Sequence, residues 1–106
     1  MWEYPSDASQ GLDFLSLLAT TRAYLPEDEY VLTAALPANK EILQHVDLRQ
    51  AAEHLDLLNL MTYDFYGPWT PRSGHHAQLY STIKDEPSAA TMVQYVMSCG
   101  FPAKKI

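Results

Sequence analysis

At 106 residues, 47% of them hydrophobic, the chain has the size and apolar content of one small globular domain, and its composition excludes a disordered or collagen-like polypeptide. Thirteen acidic against seven basic residues leave a formal charge of −6. That balance disfavours nucleic acid or an anionic membrane as partner, since both require concentrated positive charge, and it favours a neutral or weakly charged ligand.

The chain opens on Met1-Trp2-Glu3-Tyr4-Pro5, two large aromatics and an acid with no preceding element to hold them, so a segment upstream is expected. Asp7 with Gln10 three residues on resembles a capping box. Leu12, Phe14, Leu15, Leu17, Leu18 and Ala19 follow at helix-compatible spacing until Pro26, which predicts a helix from about Ser9 to Leu25. After the acidic turn Glu27-Asp28-Glu29, the run Tyr30 to Leu36 is short, apolar and ended by Pro37, and reads as a strand buried on both faces of a parallel sheet. Asn39 to Gln50 is ambiguous, with a helical turn or two, and Leu48 to His54 suits a second short helix. Leu55 to Asp64 is the clearest strand, polar only towards its end at Tyr63-Asp64. A Gly/Pro-rich loop then runs from Phe65 to about Lys84, a length that usually signals function. Pro87 suits the first turn of a last helix, Met92, Val93, Val96 and Met97 form its apolar stripe, and Gly100 with Pro102 stops it. At Lys104-Lys105-Ile106 an α/β pattern would begin its next strand. The whole reads as consecutive βα units, an α/β protein without internal repeat or linker.

Cys99 is the only cysteine, so no intramolecular disulfide can form, and a lone buried thiol is expected. No stretch approaches the roughly 18 apolar residues of a membrane span, and the chain as written shows no export signal. Asp13, Glu27, Asp28, Glu29 and Glu53 read as solvated surface. His75 and His76 invite a metal reading, but adjacent histidines do not readily face one ion and no third ligand is suitably spaced.

In a sheet of parallel strands, side chains at the C-terminal ends of neighbouring strands converge on one face, where barrels of this kind carry their active site. Glu3 and the pair Tyr63-Asp64 fall at such ends. Two acids in unequal environments are what glycosidic bond cleavage requires, one of them staying protonated to serve the leaving oxygen. Trp2, Tyr4, Tyr63, Phe65, Tyr66 and Trp69 surround these acids, and flat rings with polar tips match the apolar and hydroxylated faces of a sugar.

Trp2-Glu3-Tyr4-Pro5 resembles the end of the glycoside hydrolase family 18 chitinase signature D-x-x-D-x-D-x-E, commonly continued as D-W-E-Y-P. Met61-Thr62-Tyr63-Asp64 with Phe65-Tyr66-Gly67-Pro68-Trp69 resembles the family's M-x-Y-D segment on barrel strand six and its G-x-W continuation. Thr33-Ala34-Ala35-Leu36-Pro37 is similar to strand five, and Gly100-Phe101-Pro102 with Lys104-Lys105-Ile106 to the approach to strand seven. The resemblance covers the whole chain. It implies that residues 1–106 are a partial catalytic domain, about three consecutive βα units of a (β/α)8 TIM barrel that needs ~250 residues in full.

The resemblance implies a chitinase that hydrolyses β-1,4-linked N-acetylglucosamine polymer by a retaining, substrate-assisted mechanism, an exception to the two-carboxylate scheme. Glu3 would be the general acid and then base, while Tyr63 and Asp64 would hold the substrate's acetamido group as internal nucleophile. Tyr4 and Met61 would line the sugar subsite beside the cleaved bond, and Trp69 would stack on a neighbouring unit on the leaving-group side. Trp2 is placed with this substrate-binding set, with barrel packing as its better-suited role. No cofactor and no metal are implied, the partner being chitin or its oligosaccharides, and the intact parent would be extracellular. Met1 stands where the family pattern has an aspartate two residues before the glutamate, and the two earlier aspartates are absent, so activity of this chain is in question. The rival readings are a chitinase-like carbohydrate-binding protein without catalysis and a truncated product without function. The missing strands of such a fragment would leave open sheet edges, predicting marginal stability and association.

Overall fold

The computed structural model describes residues 3–106. The first helix, α1 (Ala8–Tyr24), is capped by Asp7, whose carboxylate accepts from Gln10 N at 2.9 Å. Gln10 reaches back in turn, but to Ser6 N at 3.0 Å rather than to the capping residue itself. Gly11, Phe14, Leu15 and Leu18 are the buried positions of α1, a helical repeat of three and four that lays one face on α3 (Leu48–His54). Leu12 and Leu17, part of the same apolar run, point to solvent at 68% and 44% exposure.

Two strands form the sheet. β1 (Thr33–Pro37) and β2 (Leu57–Met61) pair in parallel, Thr33 opposite Leu57 and Pro37 opposite Met61. The crossover between them carries α2 (Lys40–Leu43), capped by Asn39, and α3, whose bounds are those predicted. Both strands are shorter than their sequence suggests, because other groups take their terminal hydrogen bonds. Arg22, in the last turn of α1, donates to Tyr30 O at 3.1 Å, and the Asp56 carboxylate accepts from Leu32 N at 2.7 Å, so the ladder begins only at Thr33. At the other end Thr62 N turns back to Leu60 O at 2.9 Å and Asp64 adopts φ 57°, which takes the chain out of the strand before Tyr63-Asp64.

The expectation of a strand buried on both faces is also corrected. Leu36 and Leu58 point to one side, where they join Leu43, Leu48, Leu55, Val96 and Phe101 in the core beneath the helices. Thr33, Ala35, Leu57 and Asn59 lie on the opposite side and are exposed. Parallel sheets are normally covered on both faces, and among the described residues nothing covers this one.

The last helix, α4 (Ala89–Ser98), starts with a capping box in which Ser88 and Thr91 satisfy each other's backbone N–H groups. Pro87 therefore precedes the cap instead of occupying the first turn, and its carbonyl accepts from the Gln78 side chain at 2.6 Å. Gly100 ends α4 at φ 95°, a left-handed conformation that suits glycine. Lys104 to Ile106 do not begin a strand; Ala103–Lys105 is a 3₁₀ turn. It aims the Lys105 ammonium at Ala52 O (2.8 Å) and Leu55 O (2.7 Å), the carbonyls left open at the end of α3. Cys99 is half-buried rather than buried. Asp13, Glu27, Asp28, Glu29 and Glu53 are exposed, and none of the described helices is long and apolar enough to cross a membrane.

Candidate functional site

At the C-terminal ends of β1 and β2 the chain forms an open cleft of about 870 Å³. Its floor is built by the segments that leave the two strands. Ala38 N continues the ladder to Met61 O at 3.2 Å, holding the strand ends side by side just beneath the opening. Phe65, buried below, turns the following loop back over this end.

The cleft gathers Glu3, Tyr4, Met61, Tyr63, Asp64 and Trp69 onto one surface, although Tyr4 and Met61 stand 57 positions apart in sequence. Glu3 is not part of a strand in this structure. Tyr4, next to it, has φ 123°, a conformation that side-chain-bearing residues rarely adopt and that concentrates at functional sites. Tyr63, Asp64 and Trp69 are 50%, 66% and 68% exposed, open to a ligand rather than packed away. The expectations for Met1 and Trp2 fall outside the described residues.

Five carboxylates, Glu3, Glu41, Asp64, Asp85 and Glu86, border this cleft against the one cation of Lys40. Such a lining repels anions and leaves uncharged, hydroxyl-rich molecules as the ligands it accommodates at least cost. Trp69 presents its ring over Gly67, so close that a side chain at 67 would overlap the indole. The indole is thereby backed by the Gly67 backbone while remaining largely exposed, and an exposed aromatic ring can stack on a flat apolar surface.

Two further residues of the site were not assigned to it from the sequence, where His76 was weighed only as a metal ligand. His76 folds back from the loop to Asp64: its Nδ1 lies 3.6 Å from the carboxylate and accepts, at 3.4 Å, from Asp64 N, while its carbonyl accepts from Phe65 N at 2.9 Å. No periodicity could reveal this, because the contact depends on a loop returning over 12 residues. Glu86 is the second. Its carboxylate is 9% exposed, accepts from the hydroxyls of Tyr66 and Ser81, and has Arg72 Nη2 at 3.9 Å. The Ser81 hydroxyl first, and Tyr66 after it, hold the Glu86 carboxyl below the ordinary range, and the same carboxylate pushes the Tyr66 phenol up. Among the described residues, no group of three or more metal-ligating side chains is gathered.

The model of glycosyl hydrolases family 18 matches residues 1–106. The chain belongs to glycosyl hydrolase family 18. Among curated proteins, this family 18 chain is 31% identical to probable chitinase 2 of Drosophila melanogaster, over 99% of the chain and 23% of that protein. Among solved structures it is similar to the immunomodulatory active chitinase from Trichuris suis, with a TM-score of 0.87 and 30% identity over 99% of the chain and 32% of the other. It is also similar to a mutant of Ostrinia furnacalis group II chitinase catalytic domain 2, solved in complex with penta-N-acetylchitooctaose (NAG)5, with a TM-score of 0.80 and 26% identity over 92% of the chain and 27% of the other. The family 18 chain thus spans about a quarter of the length of the curated relative it matches.

Proposed function

We propose that the chain is about three consecutive βα units of a family 18 (β/α)8 catalytic domain, and that its cleft takes N-acetylglucosamine oligosaccharides of the chitin type. The observation that carries this reading is the convergence of Glu3, Tyr63, Asp64 and Trp69 on one acid-lined, aromatic-walled cleft at the strand ends. In this reading Glu3 protonates the glycosidic oxygen. Tyr63 and Asp64 hold the acetamido group so that its oxygen displaces the protonated glycosidic oxygen from the anomeric carbon with inversion; Glu3 then takes a proton from the water that opens the resulting oxazolinium ion with a second inversion, giving net retention. His76 braces Asp64 from the loop side. Tyr4 and Met61 line the subsite at the cleaved bond, and Trp69 stacks on the next sugar. The likeness to chitinases supports a chitin-degrading, extracellular setting for the parent protein.

A second reading, sugar binding without turnover, is favoured by a specific observation. A general acid has to be held in reach of the leaving oxygen, and a neighbouring hydrogen-bonding group ordinarily holds it there. Glu3 is exposed and has no hydrogen-bond partner among the described residues, and Met1 occupies the position of the pattern's aspartate. The two readings separate when release of 4-nitrophenol from a 4-nitrophenyl N-acetylchitooligosaccharide is measured alongside binding of tri-N-acetylchitotriose. Catalysis by Glu3 predicts release that falls about 100-fold or more in Glu3→Gln. Equal release from both proteins refutes the role of Glu3, and binding without release establishes the second reading.

A further inference from the structure

Of the five carboxylates that border the cleft, Glu86 alone is not exposed, yet none of the proposed chemistry uses it. It lines both the cleft and, behind the loop, a smaller cavity of about 440 Å³. Its partners come from three points of the stretch from 62 to 88, which has no helix or strand of its own: Tyr66 and Ser81 donate to the carboxylate and Arg72 approaches it. Tyr66 in turn packs across Gly74, leaving no room there for a side chain. The Thr70 hydroxyl donates to Gly67 O and lies 2.8 Å from Arg72 O, so Trp69 stands between two residues tied into the same assembly. The other side of Glu86 is anchored: Pro87 O accepts from Gln78, and the first N–H groups of α4 donate to Gln78 O and Leu79 O at 2.9 and 3.0 Å. Trp69 itself is too exposed to be held by core packing.

We propose that Glu86 is the positioning residue that locks the loop to the start of α4 and so fixes the Trp69 ring at the distance from Tyr63 and Asp64 that sets affinity for a sugar chain. This deepens the proposed function and rests on it. A buried acceptor serving hydroxyls from several loop points loses its effect as a unit when removed, since each donor is left unsatisfied.

A double-mutant cycle on the full chain tests the inference. Glu86→Ala is expected to weaken binding of tri-N-acetylchitotriose about tenfold when Trp69 is present and less than about twofold in a Trp69→Ala background. An equal loss in both backgrounds, or no loss with Trp69 present, overturns it. With Trp2→Phe as the common background, Trp69 is the only tryptophan, and Glu86→Ala should raise its acrylamide quenching by up to about half, the headroom that its 68% exposure leaves, without changing the far-ultraviolet dichroism. Tyr66→Phe, which removes one donor only, should move quenching in the same direction and stands in for Glu86→Ala if that variant does not fold. Unchanged quenching in the folded variant overturns the inference. If the parent chain binds no oligosaccharide, the proposed function fails, and the quenching result alone decides the role of Glu86.

Discussion

Gly11 shows how one missing side chain positions a helix. A methyl group there would overlap the backbone carbonyl of His45, which cannot rotate away as a side-chain tip could. Gly11→Ala therefore combines a small gain in helix propensity with a forced separation of α1 from the turn at residue 45, and overpacking dominates. We expect a loss of about 2–3 kcal/mol, read as a lower urea midpoint with unchanged slope. This requirement is not visible in sequence, where a glycine near the start of a helix looks merely permissive. Asp64 is a second case. Its place near the C-terminal end of a strand was legible from the polar turn of an apolar run, although the strand stops at Met61, whereas its left-handed φ and its contact with His76 arise from a loop whose path no local pattern encodes.

At the scale of elements, the N-terminal ends of the strands are tied by one ion pair. Arg22 Nη2 lies 2.5 Å from Asp56 Oδ2, and its other nitrogens donate to His54 O, Leu25 O and Tyr30 O, joining α1, the approach to β1 and the end of α3. The Leu32 N–H first, and Arg22 after it, hold the Asp56 carboxyl below its ordinary range; the Gln50 N–H does the same for Asp47 at the cap of α3. A carboxyl whose folded pKa is depressed contributes stability that is present above its unfolded value of about 4 and lost as pH falls through the folded value. Asp56, Asp47 and Glu86 act in the same direction, so the urea midpoint should hold from pH 7 to about 5 and decline below about 4. Asp56→Asn should lower the plateau and shallow the decline; an unchanged profile would remove Asp56 from this role. Helix α3 was legible to the residue because caps and apolar spacing agree. The strands were legible in type but not in length, since Arg22 and Asp56 capture their terminal groups from a distance.

For the molecule as a whole, the side of the sheet carrying Ala35, Leu57 and Asn59 is open, and each described strand has one unpaired edge. Open edges and exposed apolar side chains favour pairing with further strands. The full chain at tens of micromolar is expected to show a concentration-dependent sedimentation coefficient; a monomer across that range with a cooperative, high-temperature transition would contradict this. The α/β class and the parallel arrangement were readable from strand order, whereas Glu3, expected at a strand end, borders the cleft from a segment that is not a strand. The uncovered face was not readable, because an apolar run predicts burial without saying what provides it.

In the proposed function the cleft at the strand ends receives an N-acetylglucosamine chain. Amide chemical-shift mapping of the full chain during titration with tri-N-acetylchitotriose tests this most directly. The predicted result is saturable change centred on Glu3, Tyr63, Asp64, Trp69 and His76, with the Arg22–Asp56 end unaffected. No change at these residues, or change centred at the opposite end of the strands, would contradict it.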